Sequence, residues 1–174
     1  MMAKFPYLIA VAGMIGGISI AILFGVNEDL FKDRIARDLE QNAAVHGFDT
    51  IRDPAKLQDR MQAEKDKNWR YYQRYHFHAT GIGAMSLSLL ILLAFVRGAD
   101  RLRRYVAYCL AIGGFLYPFV WLFAGMYGPV MGRAVAKEQF AVFGYMGGLF
   151  LVGALMTLLL ALRYPVQFTH ASKN

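Results

Sequence analysis

The chain has little charge and almost no cysteine for its 174 residues. Charged residues make up 18% of the sequence, whereas soluble proteins average about 25%. Hydrophobic residues make up 57%, and the mean hydropathy is +0.34. This composition excludes an ordinary water-soluble fold and a disordered chain. The single cysteine, Cys109, excludes an intrachain disulfide, a CxxC redox pair and a multi-cysteine zinc site.

Charged residues and histidine are missing from four long stretches, over residues 5–26, 79–96, 105–127 and 140–162. A helix of about 20 apolar residues crosses a bilayer core of about 30 Å, and the second stretch can be extended backward through His76. We therefore predict a single all-α transmembrane domain over residues 1–174. Its four transmembrane helices are expected at about 5–26, 77–97, 105–127 and 139–162.

The sizeable polar segment lies between the first two spans, over residues 27–77. Asn27 is a suitable helix cap, the apolar residues that follow recur at helical spacing, and Gly47 is a suitable end. Asp53-Pro54 predicts a second helix start, and no breaker follows it before Val96. We expect one continuous helix from near Pro54 to near Val96. The segment is expected either to cap the bundle or to pack on a partner protein.

Proline and glycine predict two interruptions near the third span. Pro118 lies in the middle of the span, where a kink is expected. The pair Gly128-Pro129 lies just beyond the span and predicts the end of its helix.

Small residues recur at four-residue spacing within the spans. Gly13 and Gly17 form a GxxxG pair in the first span, and Gly144 and Gly148 form another in the fourth. Small residues let membrane helices approach closely, so these four glycines are predicted packing positions. They can serve packing within one bundle or association of separate chains, and the sequence leaves both open.

The net charge of +7 is concentrated near one set of helix ends. The short loop after the second span carries Arg97, Arg101, Arg103 and Arg104, and arginine-rich short loops stay in the cytoplasm. This predicts an inner-membrane protein with both termini cytoplasmic and residues 27–77 periplasmic or extracellular. The expected partner of the charge is the anionic lipid bilayer, and no nucleic acid is expected.

The densest polar cluster stands at the start of the second span. Tyr75, His76 and His78 are its candidate ligand-binding residues. Two histidines at this spacing point about 200° apart on a helix, so one metal is not easily shared by them. His78 is the favoured ligand residue, because its face continues into long apolar side chains. Haem, copper or quinone are the cofactors considered. The second ligand to a haem would be His46, folded over from the outer segment, or a histidine of a second subunit, and Met126 or Met146 is the alternative ligand to a metal. The alternative is an interfacial anchor without a ligand.

Motifs for other chemistry are missing. The sequence contains no GxxxxGK[ST] phosphate loop, no GxSxG elbow and no HExxH zinc motif. No Asp, Glu, Lys or Arg lies inside the four uncharged stretches, which argues against proton-coupled exchange. We therefore expect a non-enzymatic accessory or structural subunit, associated with other membrane protein subunits or with itself. A redox, metal, haem or quinone-binding membrane protein is the alternative.

Overall fold

The computed structural model describes residues 4–167, and it shows a helical protein. Within that range the only β-type pairing is one isolated bridge between Val96 and Val166. Two short 3₁₀ turns, Ala43–His46 and Phe48–Thr50, join the second helix to the third. The α-helices are α1 (Phe5–Val26), α2 (Asp29–Gln41), α3 (Pro54–Phe95), α4 (Asp100–Leu116), α5 (Phe119–Met131), α6 (Arg133–Gln139) and α7 (Ala141–Arg163).

Four helical stretches are long and apolar enough to cross a membrane. They are α1, the apolar part of α3, the combined α4 and α5, and α7. The predicted all-α architecture with four spanning helices is confirmed at this level. The combined α4–α5 stretch, residues 100–131, extends past both ends of the predicted third span, and α7 begins and ends slightly later than the predicted fourth span.

The third helix is one uninterrupted rod of 42 residues. Asp53 begins it as predicted: its carboxylate accepts hydrogen bonds from the backbone N–H groups of Ala55 and Lys56, at 3.0 and 3.5 Å. Pro54 follows at the first helical position, where its missing N–H costs nothing. At 1.5 Å per residue the helix is about 63 Å long, twice the thickness of a bilayer core.

The break at Pro118 is confirmed, whereas the predicted end at Gly128-Pro129 is wrong. The chain turns at Tyr117 and Pro118 between α4 and α5. Pro129 lies inside α5, which ends only at Gly132, where φ is +87°. Tight packing of Gly125 and Gly128 against α3 keeps the chain helical past the proline, so tertiary contact overrides the local signal.

The polar segment begins as predicted but its first helix ends early. The Asn27 side chain accepts a hydrogen bond from the Leu30 N–H at 3.1 Å. The helix was expected to end at Gly47 and ends instead at Gln41. The side chain of Asn42 donates to the carbonyl oxygen of Asp38 at 2.7 Å, and the Asn42 backbone N–H donates to the same oxygen at 3.2 Å. This local side-chain bond favours the end of the helix at Gln41. Gly47, at φ +69°, separates the two 3₁₀ turns that follow.

The polar segment packs onto the bundle. Ile35 and Leu39 of α2 and Phe48 of the second 3₁₀ turn are buried in one cluster with Tyr72 of α3. Burying side chains of this size contributes about 1.5–3 kcal/mol each. Of the two arrangements expected for residues 27–77, the cap on the bundle is the one formed. We call this end of the molecule the cap end.

At the end of the bundle opposite the cap, α1 and α4 begin and α3 and α7 end. The Arg97 N–H donates to the Pro165 carbonyl at 3.1 Å, and the Gln167 N–H donates to the Phe95 carbonyl at 3.0 Å. The Tyr7 hydroxyl of α1 donates to the Leu90 carbonyl of α3 at 3.1 Å. We call this the basic end, after its charged residues Lys4, Arg97, Arg101, Arg103, Arg104 and Arg163, which are accompanied by Asp100.

Candidate functional site

The candidate ligand residues share one stretch of α3 but face different neighbours. His76 faces α1, His78 faces the junction of α4 and α5, and Tyr75 lies between α1 and α5. The two imidazoles therefore lie on different sides of their helix, as their spacing predicts. They do not share a single ligand position.

His76 holds α1 against α3. Its Nδ1 lies 2.8 Å from the backbone carbonyl oxygen of Gly17. The two helices are very close here, because a Cβ atom on Gly17 would lie 2.7 Å from the Thr80 amide nitrogen and 3.0 Å from the Ala79 Cβ. The Thr80 hydroxyl donates back to the His76 carbonyl within α3. His76 is therefore a half-buried interhelical contact, at a place that requires glycine on the partner helix.

Tyr75 is buried next to the same contact. Its hydroxyl oxygen would lie 3.2 Å from a Cβ atom added at Gly16 of α1. Its ring meets that of Phe119 edge-on, with centroids 5.7 Å apart. Tyr75 thus fills the space between three helices, and the neighbours recorded for its ring and hydroxyl belong to α1 and α5.

His78 lies in a cluster of rings and one guanidinium group. Its Nδ1 is 2.8 Å from the Arg74 carbonyl oxygen, and its ring centroid is 5.5 Å from that of Tyr117 and 5.8 Å from that of Trp121. The Arg74 guanidinium lies 5.0 Å from the Trp121 ring centroid, in cation–π range. The indole Nε1 of Trp121 is buried and has no acceptor among residues 4–167. We call Tyr71, Arg74, His78, Tyr117 and Trp121 the aromatic cluster.

The depth of His76 differs from the sequence prediction. The sequence placed it at the edge of the second span. Gly17, its partner, is the thirteenth of the 22 residues of α1, near the middle of that apolar helix. The other end of α1 reaches the level of Trp69, whose ring centroid is 4.8 Å from that of Phe24. Because Trp69 precedes His76 by seven residues, His76 lies about 10 Å further along the apolar belt.

The residues considered as further metal ligands make contacts away from His76 and His78. His46 bonds through Nε2 to the Pro129 carbonyl oxygen at 2.7 Å and stacks on Phe48. Met126 packs under the cap, and Met146 contacts α4 through its backbone at Gly113. Over residues 4–167 no group of three or more His, Cys, Asp or Glu is arranged to hold a metal ion.

The sequence pattern missed a buried ion pair at the cap end. Glu64 is only 4% exposed, and its carboxylate accepts hydrogen bonds from Arg133 Nε at 2.8 Å and Nη2 at 3.3 Å. Lys67 donates to the same carboxylate at 3.2 Å. The mixed charges of residues 56–67 predict a solvated helix face, and Glu64 departs from that prediction. A usable signal was present: the buried stripe of α3 continues outward from Tyr75 through Tyr71 and Asn68 to Glu64, at helical spacing.

Burial and hydrogen bonding shift the pKa of the Glu64 carboxyl group in opposite directions. It lies on the polar outer part of α3, outside the predicted span 77–97. Burial alone would raise the pKa of its carboxyl group, but hydrogen bonds from Arg133 and Lys67 outweigh burial and hold the pKa below the ordinary 4.5. The neighbouring Asn68 is fully buried, and its Oδ1 lies against Gly128 without a donor among the described residues.

The four predicted packing glycines differ in how closely they meet another helix. Gly17 is in tight contact, and a Cβ on Gly13 would lie 3.5 Å from the Phe115 ring. A Cβ on Gly144 would be 3.9 Å from Val120, whereas one on Gly148 would meet no atom of the described chain within 4 Å. Packing within the bundle is therefore not the role of Gly148, because it faces outward from α7.

The close approach of α7 to α4 uses other glycines. A Cβ atom on Gly113 would lie 2.5 Å from the Phe150 amide nitrogen, and one on Gly153 would lie 2.9 Å from the Leu110 amide nitrogen. These two glycines stand on facing helices and are not part of a GxxxG pair. Their role depends on the register of the two helices, which spacing within one helix does not reveal.

Comparison with known proteins adds no further assignment to this geometry. The bundle has two polar centres, the histidine region of α3 and the ion pair of Glu64 with Arg133. What they do is argued below from their contacts. No family model matches the chain, and no match was found among curated proteins or solved structures.

Proposed function

We propose that this chain is a non-enzymatic protein of a bacterial-type inner membrane, where it acts as an accessory or structural subunit of a larger membrane complex. One observation carries the proposal: polar side chains in the apolar region bond to backbone carbonyls of neighbouring helices. His76 bonds to Gly17, Tyr7 to Leu90, and the Ser86 hydroxyl donates to the Leu110 carbonyl at 3.2 Å. Such bonds between helices hold a bundle together, which is the task of a structural subunit.

The cap end supports a role in contacts with other subunits. Apolar side chains are exposed there although the segment is polar overall: Leu30 is 59% exposed, and Val45 and Val135 are each 53% exposed. Val45 and Val135 line one shallow cleft together with the charged side chains of Arg60 and Lys137. Mixed apolar and basic surfaces of this kind are typical of protein–protein contacts.

The proposed orientation places the cap end outside and the basic end in the cytoplasm. The basic end contains Lys4 next to the start of α1 and Arg163 at the end of α7. It also contains the arginine-rich loop between α3 and α4. Positive residues near helix ends favour the cytoplasmic side.

Native gel electrophoresis after extraction in a mild detergent tests the subunit proposal. The chain extracted from its own membrane should migrate as a larger particle than the chain purified after expression alone. Val135→Glu should reduce the large particle, whereas Gln58→Glu, which adds the same charge at an exposed polar position, should leave it intact. Identical particle sizes from the two sources would contradict the proposal.

A redox or metal-, haem- or quinone-binding function is the second candidate, and His78 favours it. Its Nδ1 bonds to Arg74, while Nε2 has no partner in the described chain and lies among the rings of Tyr117 and Trp121. In this second function a planar apolar ligand would contact the His78 imidazole beside these two rings. Visible spectroscopy and metal analysis of the purified protein, with His78→Ala beside His76→Ala, separate the two functions. A chromophore or metal lost in His78→Ala would favour this second function.

A further inference from the structure

The first two turns of α4 carry two arginines and two tyrosines on one face. Arg101, Arg104, Tyr105 and Tyr108 follow the spacing i, i+3, i+4 and i+7, so their side chains are neighbours on the helix surface. The four residues line a shallow cleft of about 290 Å³. Its polar groups are therefore hydrogen-bond donors provided by side chains: two guanidinium groups and two phenol hydroxyls.

The two arginines of this cleft have no acidic partner. Asp100 is the carboxylate of the basic end, and it pairs with Arg103, whose Nη1 also donates to the Val96 carbonyl at 2.9 Å. Within residues 4–167 neither Arg101 nor Arg104 has a carboxylate oxygen within 4.0 Å. Among the described residues, both guanidinium groups therefore lack a direct ion pair.

The cleft lies at the border between the basic end and the apolar surface. Val106 and Ala107 of the same turns are buried in the bundle, so the opposite face of α4 points outward. Tyr105 is on that face and is 71% exposed. The uncharged stretch 105–127 begins at this residue. Lipid headgroups lie at such a border, and tyrosine is enriched there.

We propose that this cleft binds the phosphodiester headgroup of an anionic phospholipid. Guanidinium groups bind phosphate oxygens through two parallel hydrogen bonds, and phenol hydroxyls can donate to the remaining oxygens. The positive charge of Arg101 and Arg104, which have no direct ion pair among the described residues, favours phosphatidylglycerol over phosphatidylcholine, since the choline group carries a positive charge of its own. The acyl chains then run along the apolar surface of α4 below Tyr108.

Lipid titration of the full-length protein in a non-ionic detergent tests the site. Phosphatidylglycerol should raise the melting temperature in a saturable way, and native mass spectrometry should show retained lipid. Phosphatidylcholine should do neither. Inorganic phosphate forms the third arm: an equal rise with phosphate alone would show a free-anion site and would overturn the lipid assignment.

Charge-matched double variants distinguish a defined site from diffuse attraction. Arg101→Gln with Arg104→Gln should weaken phosphatidylglycerol binding about 30-fold, at about 1 kcal/mol for each basic residue near the headgroups. Arg97→Gln with Arg163→Gln removes the same charge from exposed positions at the same end but outside the cleft. It should weaken binding less than about threefold, because salt screens charges that do not contact the bound headgroup. Equal weakening by both pairs would overturn the proposal.

A second double variant keeps both positive charges and tests whether the planar guanidinium groups are needed. It also provides a test of the site if the glutamine variant does not fold. Arg101→Lys with Arg104→Lys retains two cations but removes the planar fork that binds two phosphate oxygens. Binding should still weaken by about tenfold, as expected when charge-assisted bonds are lost. Unchanged affinity in this variant, with circular dichroism like that of the wild type, would overturn the bidentate site.

Discussion

The Nδ1 atom of His76 lies 2.8 Å from the carbonyl oxygen of Gly17, so an imidazole on α3 bonds to the backbone of α1 near its middle. Hydrogen bonds between membrane helices contribute about 0.6–2 kcal/mol. The bond is possible because a glycine lets the two helix backbones come into contact. Packing and hydrogen bonding thus depend on each other at this position.

Gly17→Ala should therefore destabilise the bundle. The added methyl group would lie 2.7 Å from the Thr80 amide nitrogen, and backbone atoms cannot move aside cheaply. Overpacking of this kind costs about 1–3 kcal/mol. Gly25→Ala is the control on the same helix, since its Cβ position is open. Thermal unfolding in detergent measures both variants, and equal melting temperatures would show that the close contact is not present in solution.

The two histidines should differ when each is replaced by phenylalanine. His76→Phe removes the bond to Gly17 and should lower stability by about 1 kcal/mol. His78→Phe keeps a ring beside Tyr117 and Trp121 and should cost less than about 0.5 kcal/mol. Denaturation in detergent would decide the order. If His76→Phe is the more stable variant, the hydrogen bond between His76 and Gly17 does not stabilise the bundle.

Replacing Arg133 should lower the free energy of unfolding more than replacing Glu64, its partner in the buried ion pair. Arg133→Gln leaves the Glu64 carboxylate, 4% exposed, without its main partner, and should cost about 3–5 kcal/mol. Glu64→Gln leaves Arg133, whose side chain is about a third exposed and can be hydrated, and should cost about 1–3 kcal/mol. The double variant should recover part of the loss. Additive losses in the double-mutant cycle would contradict direct coupling of the two residues.

The lowered pKa of Glu64 predicts the pH dependence of the cap end. The folded state binds the proton less readily than the unfolded chain, so the stabilisation is present above the unfolded pKa of about 4.5 and is lost as the pH falls through the folded value. Stability of the wild type should therefore fall more steeply below about pH 4.5 than that of Glu64→Gln. Parallel pH profiles of the two proteins would refute this linkage.

Cysteine labelling tests the proposed orientation. In a Cys109→Ala background, Gln62→Cys at the cap end should react with an impermeant maleimide in intact cells with a permeabilised outer membrane. Ala99→Cys at the basic end should react only after lysis. Both positions are exposed, so access from water rather than burial decides the result. The reverse pattern would place the cap end in the cytoplasm.

Signals contained within a few residues predicted the architecture well. Asp53-Pro54 begins α3 because an acceptor side chain and a proline satisfy the first turn locally. Pro118 breaks the third span because it has no N–H to donate within the helix. The four uncharged stretches lie in the four helices that are long and apolar enough to cross a membrane, since the length needed to cross a bilayer is fixed.

Contacts between distant residues were less predictable. Glu64 and Arg133 are separated by 69 positions, and neither residue carries a local mark of its partner. Pro129 suggested a helix end that tertiary packing overrides. Gly148 shares its motif with Gly144 but faces outward, because the direction of a helix face is set by which neighbours surround it.

The uninterrupted helix α3 connects the cap end to the basic end over about 63 Å. It carries the buried ion pair near one end, the contact with α1 near its middle, and the loop to α4 at the other end. An unbroken helix has no hinge to absorb a tilt. We therefore expect a change in the tilt of α3 at the cap to displace the arginine-rich loop at its other end as well.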